Sequence, residues 1–438
     1  MKSKTKTRIV GSIILAFALY SVVVSFIAVF GGFDFGNASL SAILYSSGRL
    51  AGLLAFFCLG TLVFSGEVSR FFDKFFGMDR IIKFQRKYAL VASFFALLHP
   101  LFFVLSGSRT LGGVLVPDFS VVPIAMGTIS LYLFAIVMVC SELYKKISYK
   151  MWQVIHIVIY LLFFFSLYHG FNAGSSANYL SVRIMYLIIL VGVLVGMVYR
   201  TTYKIRQKKT CKHVVDNVEF ETHDTYSLTL KPKGHEKLEH RAGQFCFIRL
   251  DKEKLYARHP FTIASAPQED HLRFTIKFKG RFTKIASRLK KGEITNVEGP
   301  FGKFTVDDDE KDLVFIAGGV GITPFRSIIK EHLLKGKNQK VTLIYGAMHK
   351  DDIIFKKFFD SIKQKWFKKV YVLSEEKKPK DGCECGFIDD RIIKGYVDDI
   401  NNSIFYICGP EIMKDKVMEC LKGHGVPKDR IRIEDFFW

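Results

Sequence analysis

The sequence has no cysteine pattern that could staple a fold or hold zinc: its eight cysteines are scattered, and Cys383 and Cys385, the one close pair, stand isolated. Acidic residues are few, 41 Asp and Glu against 63 Lys and Arg. In the first half that imbalance sits in short loops beside apolar runs, so the partner it implies is a membrane surface and not nucleic acid. Histidine is scarce there too. Of twelve in the chain, only His99, His156 and His169 precede residue 200. No small-residue cleavage site follows the first apolar run, so that run, preceded by Lys2, Lys4, Lys6 and Arg8, reads as an uncleaved anchor instead of a signal peptide.

What is present divides in two. Up to about Arg200 the chain is dominated by runs of Phe, Leu, Ile and Val, whereas beyond it Lys, Asp and Glu recur every few residues. The basic stretch from Arg200 to Lys212 marks the join. Apolar stretches at about 9–30, 44–66, 88–105, 120–140, 152–170 and 180–199 are each near the ~20 residues a helix needs to cross a bilayer. The expectation is a six-helix transmembrane bundle over 1–205. Arg70, Lys74, Arg80, Lys83, Arg86 and Lys87 lie between spans two and three, and Lys145, Lys146 and Lys150 between spans four and five. The alternate loops carry mainly Arg49 and Arg109. By the positive-inside rule both termini and the whole soluble half are cytoplasmic, in a multi-pass protein of the cell membrane, and spans three and five run outward.

Polar side chains at membrane depth are costly and point to function, and imidazole is a standard axial ligand of haem iron. His99 and His169, both near outward ends of spans, are at one height and suit a shared haem. A membrane histidine serves as readily by bonding a backbone carbonyl or lining a wet cavity. Three histidines on two helices favour the ligand reading. His156 and His169 lie ~20 Å apart along one helix, the separation of an inner from an outer site; thirteen steps of 100° put them on different faces, so the spacing speaks to height alone.

With these spans and histidines, the first half resembles the ferric reductase transmembrane domain shared by NADPH oxidases and ferric-chelate reductases. In that family span three reads His-Arg, about a dozen mostly apolar residues, then His, and span five carries two histidines thirteen apart. Here span three reads Gln85-Arg86-Lys87-Tyr88 on to His99-Pro100, so the inner histidine falls on Gln85. The resemblance implies haem b outermost on His99 and His169, and leaves His156 in place without its usual partner. Arg49, in Ser47-Gly48-Arg49-Leu50, resembles a family arginine near the outer haem; an interfacial anchor is the alternative.

In the second half, short alternating stretches such as 245–250 and 273–278, separated by Gly and Pro, predict a small antiparallel β-barrel over 206–308. Apolar strands alternating with helical stretches, Leu313 to Ala317, Thr323 to Leu334, Val341 to Tyr345, Ile404 to Ile407 and Pro410 to Leu421, predict an α/β nucleotide-binding domain over 309–438. The whole is a multi-domain membrane protein. Within the barrel stands Arg258-His259-Pro260-Phe261-Thr262, preceded by Gly243-Gln244-Phe245 and followed by Gly280-Arg281-Phe282-Thr283. The second domain opens Gly318-Gly319-Val320-Gly321-Ile322-Thr323-Pro324, a strand running into glycines and a helix start, where backbone amides can meet a pyrophosphate. Cys408-Gly409-Pro410 follows the late strand.

These motifs are similar to the FAD and NAD(P) module of the same oxidases and of the ferredoxin reductase superfamily. The resemblance implies that Phe261 stacks on the flavin, that Thr262 bonds its N5 edge, that His259 serves the phosphates beside Pro260, and that Gly280 and Thr283 serve the pyrophosphate. It places Cys408 near the nicotinamide, and Phe436, or its rival Trp438, over the flavin face. The function so implied is an NAD(P)H-dependent flavocytochrome passing electrons through FAD and haem b to an acceptor across the membrane, whether ferric chelate, dioxygen or quinone. Two other readings stand beside it: a membrane-tethered flavin reductase, and a non-catalytic haem-binding membrane protein, which has no use for complete flavin and nicotinamide motifs. After the strand at 341–345 the chain lacks the arginine that often grips a 2′-phosphate, and Glu375 and Glu376 end the later strand, a pattern that leans toward NADH or dual use.

Overall fold

In a computed structural model of the chain two compact units are present, Met1–Ile205 and Arg206–Trp438. The structure describes residues 2–143, 149–250, 258–306, 311–377 and 382–434, with all their side chains except those of 2–4, 79, 149–150, 152–153, 155–156 and 208–210.

The first unit is built on the helices α1 (Lys2–Phe30), α2 (Leu40–Glu67), α3 (Ser69–Phe76), α4 (Met78–Leu105), α5 (Leu111–Leu115), α6 (Val122–Glu142), α7 (Tyr149–Ala173) and α8 (Leu180–Thr210). Apolar residues fill the middle turns of the long helices, and a stretch apolar all round belongs in lipid or in a protein core. Five stretches are long and apolar enough to cross a bilayer: Thr5–Phe30, Leu40–Glu67, Arg80–Leu105, Phe119–Glu142 and Leu180–Gln207. Six were expected. The sixth falls on α7, whose apolar part among the described residues, Ile157–Ala173, is shorter than a full span. The unit's core gathers Phe56, Phe163, Val182, Met185, Tyr186 and Val193, with Phe56 and Tyr186 packed edge to face at 4.8 Å, while Ile13, Leu15, Leu97 and Leu187 stay exposed as lipid-facing residues do. The short α3 ends at Gly77, whose φ of 85° suits glycine, and the Asp73 carboxylate then caps α4 by accepting from the Met78 amide at 2.7 Å.

The second unit holds two sheets. β1 (Lys212–Thr222), β2 (Thr225–Pro232), β3 (Phe245–Arg249), β4 (His259–Thr262), β5 (Leu272–Lys277) and β6 (Ile294–Phe301) form one antiparallel sheet in the order β4-β3-β6-β1-β2-β5, with α9 (Arg281–Ala286) after β5. Its edge strands approach each other beyond β4, where Ile263 bridges Phe274 and the Ala264 amide donates to the Arg273 carbonyl at 2.7 Å. Alternate residues, Leu228, Leu230, Ile248, Phe274 and Ile276, fill its core.

β7 (Leu313–Gly318), α10 (Thr323–Lys335), β8 (Val341–Ala347), α11 (Lys356–Ser361), β9 (Phe367–Leu373), β10 (Glu384–Cys385), α12 (Asp390–Tyr396), β11 (Ile404–Cys408), α13 (Glu411–Gly423) and β12 (Ile431–Glu434) complete the chain. Their strands lie parallel in the order β10-β9-β8-β7-β11-β12. β7 is buried throughout, as a strand covered on both faces must be: Leu313, Phe315 and Ala317 join one core with Phe325 and Ile328 of α10, and Val314 and Ile316 join the other with Val417 and Leu421 of α13. The chain leaves β7 toward β8 on one side and returns to β11 on the other. The carboxyl ends of β7 and β11 therefore flank the topological switch point, where open α/β sheets bind their ligands.

Candidate functional site

In the first unit His99 of α4 and His169 of α7 stand side by side, ring centroids 6.0 Å apart and planes at 75°. His99 lies six positions before the end of α4 and His169 four before the end of α7. Each Nδ1 is 2.8 Å from a backbone carbonyl of a neighbouring helix, that of Gly48 on α2 for His99 and that of Pro123 on α6 for His169. A carbonyl only accepts, so each Nδ1 carries the proton and each Nε2 keeps its lone pair, the arrangement seen in metal-ligating imidazole. With metal–nitrogen bonds of about 2 Å, two imidazoles on opposite faces of one iron bring their centroids to roughly 6 Å. The observed spacing of 6.0 Å is compatible with that arrangement.

At the opposite end of these helices the side chains bond one another. Gln85, fourteen positions before His99 and so about 21 Å along α4, donates its amide to Ser65 Oγ at 3.0 Å. Glu67, buried at the end of α2, accepts from the Tyr160 hydroxyl and from Arg200 Nη1 at 2.7 Å, and Arg200 also reaches Tyr160 at 2.8 Å. Sequence reasoning missed this triad; the one signal was a carboxylate closing an apolar run. The His156 side chain, one turn before Tyr160, lies outside the described residues. Arg49 bonds Ser176 Oγ through Nη2 at 2.7 Å and through Nε at 3.2 Å, with the Ala28 carbonyl at 3.4 Å, so it ties α2 to the α7–α8 connection and to α1.

In the second unit His259, Pro260, Phe261 and Thr262 make up β4, paired with β3 so that Thr262 opposes Phe245. Thr262 is buried, yet its Oγ1 has no hydrogen-bond partner among the described residues. An unpaired buried hydroxyl costs about 1–3 kcal/mol, and a ligand that bonds it removes that penalty. This orphan fits the flavin contact that the resemblance implies. Phe282, at the start of α9, braces the motif, with its ring 4.1 Å from His259 and 5.9 Å from Phe261, nearly parallel to the latter at 21°. Burial pushes the His259 pKa down, which favours the neutral ring at neutral pH. The expected pyrophosphate pair engages itself: Thr283 Oγ1 accepts from the Lys279 and Gly280 amides at 3.0 and 3.1 Å and donates to the Gly280 carbonyl at 2.9 Å. Among the described residues, a Cβ at Gly280 would meet nothing within 4 Å.

At the switch point a turn at Gly319–Ile322 leads from β7 into α10, which opens with Thr323 and Pro324, the Thr323 hydroxyl donating to the Val320 carbonyl at 3.0 Å. Three of the four glycines here are needed by the protein itself. A Cβ would lie 2.3 Å from the Cys408 carbonyl at Gly321, 2.7 Å from Pro410 Cδ at Gly318, and 2.9 Å from the Gly318 amide at Gly409. Gly319 differs: its φ is +52° and, among the described residues, nothing stands within 4 Å of its Cβ position, so its Cβ side is open. Cys408 is fully buried, opposite Ala317 in the ladder. The Phe436 and Trp438 readings lie outside the described residues.

The two sheets are joined at the site. Arg326 Nη1 of α10 donates to the Ala264 carbonyl at 2.5 Å and lies 3.6 Å from Glu269, and Ser327 Oγ donates to the Ser265 carbonyl at 2.6 Å. The helix that leaves the glycine turn thus holds the segment that follows Thr262. Burial lowers the Arg326 pKa and the Glu269 carboxylate opposes that shift. Sequence reasoning overlooked this arginine, whose signal was a charge set among apolar residues just after Pro324. Arg326→Ala is expected to destabilise the protein by about 3 kcal/mol, because it leaves a partly buried carboxylate and a carbonyl without their donor. Thermal unfolding of the full chain in detergent, followed by flavin fluorescence, checks this; an unchanged midpoint contradicts it.

Comparison with known proteins agrees with both units. Residues 51–167 match the ferric reductase like transmembrane component, a stretch that includes His99 and His156 and stops just short of His169. Residues 211–315 match an FAD-binding domain and residues 315–419 an oxidoreductase NAD-binding domain. One subunit of the Na(+)-translocating NADH-quinone reductase of Idiomarina loihiensis is 31% identical over 168 residues, 36% of this chain and 40% of that relative. The chain thus spans about two fifths of that relative's length. The gamma subunit of sulfhydrogenase 2 of Pyrococcus furiosus is 29% identical over 45% of this chain and 72% of its own. Among solved structures, the flavohemoglobin of Malassezia yamatoensis, with FAD and heme bound, superposes with a TM-score of 0.52 over 89% of this chain and 98% of its own at 18% identity, a likeness of fold alone.

Proposed function

We propose that this chain, a flavin- and NAD-dependent oxidoreductase joining a ferric reductase-like transmembrane component to FAD- and NAD-binding domains of ferredoxin reductase type, moves electrons from cytoplasmic NAD(P)H through FAD and haem b to an acceptor across the membrane. The division of labour is haem in 1–205, FAD in 206–308 and nicotinamide in 309–438. When bound, FAD takes two electrons as a hydride and releases them singly, the form in which haem iron carries them. The observation that carries the reading is the His99–His169 pair, each ring pinned through Nδ1 and each Nε2 left for a metal. For the dinucleotides the chain supplies the Thr262 hydroxyl, the Phe261–Phe282 brace, the open face of Gly319 and the end of β11 at Cys408. The basic loops between spans support a cytoplasmic position for this half and for both termini. The deciding experiment is a haem spectrum of the purified protein during titration with NADH and NADPH, with and without dioxygen, ferric chelates and a quinone. A protein that carries flavin but no haem is a tethered flavin reductase, and the proposal fails.

The nicotinamide rim favours NADH. The connections after β8 and β9 are bonded together, with the Ser374 and Glu375 amides on the Ala347 and Met348 carbonyls and the Glu376 carboxylate on the Lys350 amide at 2.8 Å. Acid fixed at this rim repels a 2′-phosphate. Catalytic efficiency with NADH is expected to equal or exceed that with NADPH; a preference for NADPH above about tenfold, or 1.4 kcal/mol, contradicts this.

A further inference from the structure

We infer that Gly52 and Gly127 are positioning residues for the paired histidines, each a notch that lets an imidazole reach the carbonyl one turn earlier on a neighbouring helix. The construction occurs twice. His99 bonds the carbonyl of Gly48 and lies against Gly52; His169 bonds the carbonyl of Pro123 and lies against Gly127. In both cases the carbonyl and the glycine are four residues apart. Within a helix the carbonyl of residue i already accepts from the amide of residue i+4. Its second lone pair is open to the imidazole Nδ1–H, but the ring must then pass over residue i+4. A Cβ at Gly52 would stand 2.6 Å from His99 Nδ1 and 2.8 Å from its Cε1, and one at Gly127 would stand 2.6 and 2.7 Å from the same atoms of His169. These are atoms of a rigid ring held in a packed bundle, so an added methyl pushes the ring off its carbonyl. The tautomer and the aim of Nε2 then lose what fixes them.

The inference rests on the haem reading. A purely structural role, close packing of α2 on α4 and of α6 on α7, is separable from it within the same protein. Gly60 of α2 is as tight, its Cβ position 2.3 Å from Ile189 Cγ2, and touches neither histidine, whereas Gly66 has nothing within 4 Å. The experiment is haem titration and low-temperature electron paramagnetic resonance of the full chain in detergent for Gly52→Ala, Gly127→Ala, Gly60→Ala and Gly66→Ala. Haem affinity is expected to fall about 10-fold or more in the first two, with the low-spin signal shifted or lost and FAD content unchanged. Gly60→Ala lowers the unfolding temperature but keeps the wild-type haem signal, and Gly66→Ala changes neither. Wild-type affinity and spectra in both Gly52→Ala and Gly127→Ala overturn the inference, as does an equal spectral change in Gly60→Ala. A wild-type chain without haem overturns the haem reading instead. In that event nitrogen chemical shifts of labelled histidine decide the inference, which requires an Nδ1–H tautomer at His99 that is lost in Gly52→Ala and fails if that tautomer persists.

Discussion

Leucine in place of His99 or His169 is expected to take haem from about one per chain to nearly none, with FAD content unchanged. On the proposed reading each ring would supply one ligating nitrogen, and with either gone the remaining imidazole would face an apolar side chain that binds iron not at all. The count of one follows from the histidines available. Only His99, His156 and His169 precede residue 200, whereas two haems each held by two histidines need four. Gln85 does not make up the number: a neutral amide is a weak ligand beside imidazole, and its side chain is already bonded to Ser65. Replacing His156 should therefore leave the haem count unchanged. Pyridine-haemochrome assay against protein concentration measures all three variants. Two low-spin haems per chain that both survive replacement of His156 refute the count, and Gln85→His should raise haem content where the inner space admits a second group.

The parts of this arrangement that sequence made legible are those governed by local pattern. The apolar runs located the long helices but not all their ends, since the helices that begin at Lys2 and Met78 and the one that ends at Thr210 continue into charged sequence. The strands at 313–318, 341–347 and 404–408 stood out because a parallel strand buried on both faces reads as an unbroken apolar run. What stayed hidden depends on partners far apart in the chain. Glu67, Tyr160 and Arg200 meet across 93 and 133 positions, and a helix that is apolar all round shows no face from which to predict the meeting. The glycines of the nucleotide turn were visible, but their reason was not: a ligand's need for bare backbone and the crowding of Gly321 against the Cys408 carbonyl leave the same letter in the sequence. Likewise Thr283 is expected at the pyrophosphate by resemblance, and the turn that its hydroxyl closes with the Lys279 and Gly280 amides could not be read from the sequence. For Arg49, a family-like arginine or an interfacial anchor by sequence, the bonds to Ser176 and Ala28 were also beyond reading, because those partners lie far off in the chain.

Thr262→Val is expected to separate folding from function, with opposite signs. Valine keeps the branched shape and the strand preference of threonine, so the pairing of β4 with β3 persists. What it removes is a buried hydroxyl whose Oγ1 has no partner among the described residues. Deleting an unsatisfied polar atom returns its desolvation penalty, so the flavin-free protein should be as stable as wild type or about 1 kcal/mol more so. A threonine kept only for packing predicts nothing further. A hydroxyl that completes a flavin site predicts a second effect, because a donor fixed where charge develops is worth about 10²-fold in rate. Anaerobic mixing with NADH, followed by flavin bleaching, should be slower by about that factor in Thr262→Val and largely recovered in Thr262→Ser, which keeps the oxygen. Destabilisation of the flavin-free Thr262→Val protein, or flavin reduction at the wild-type rate, shows that the hydroxyl serves the fold and not the reaction.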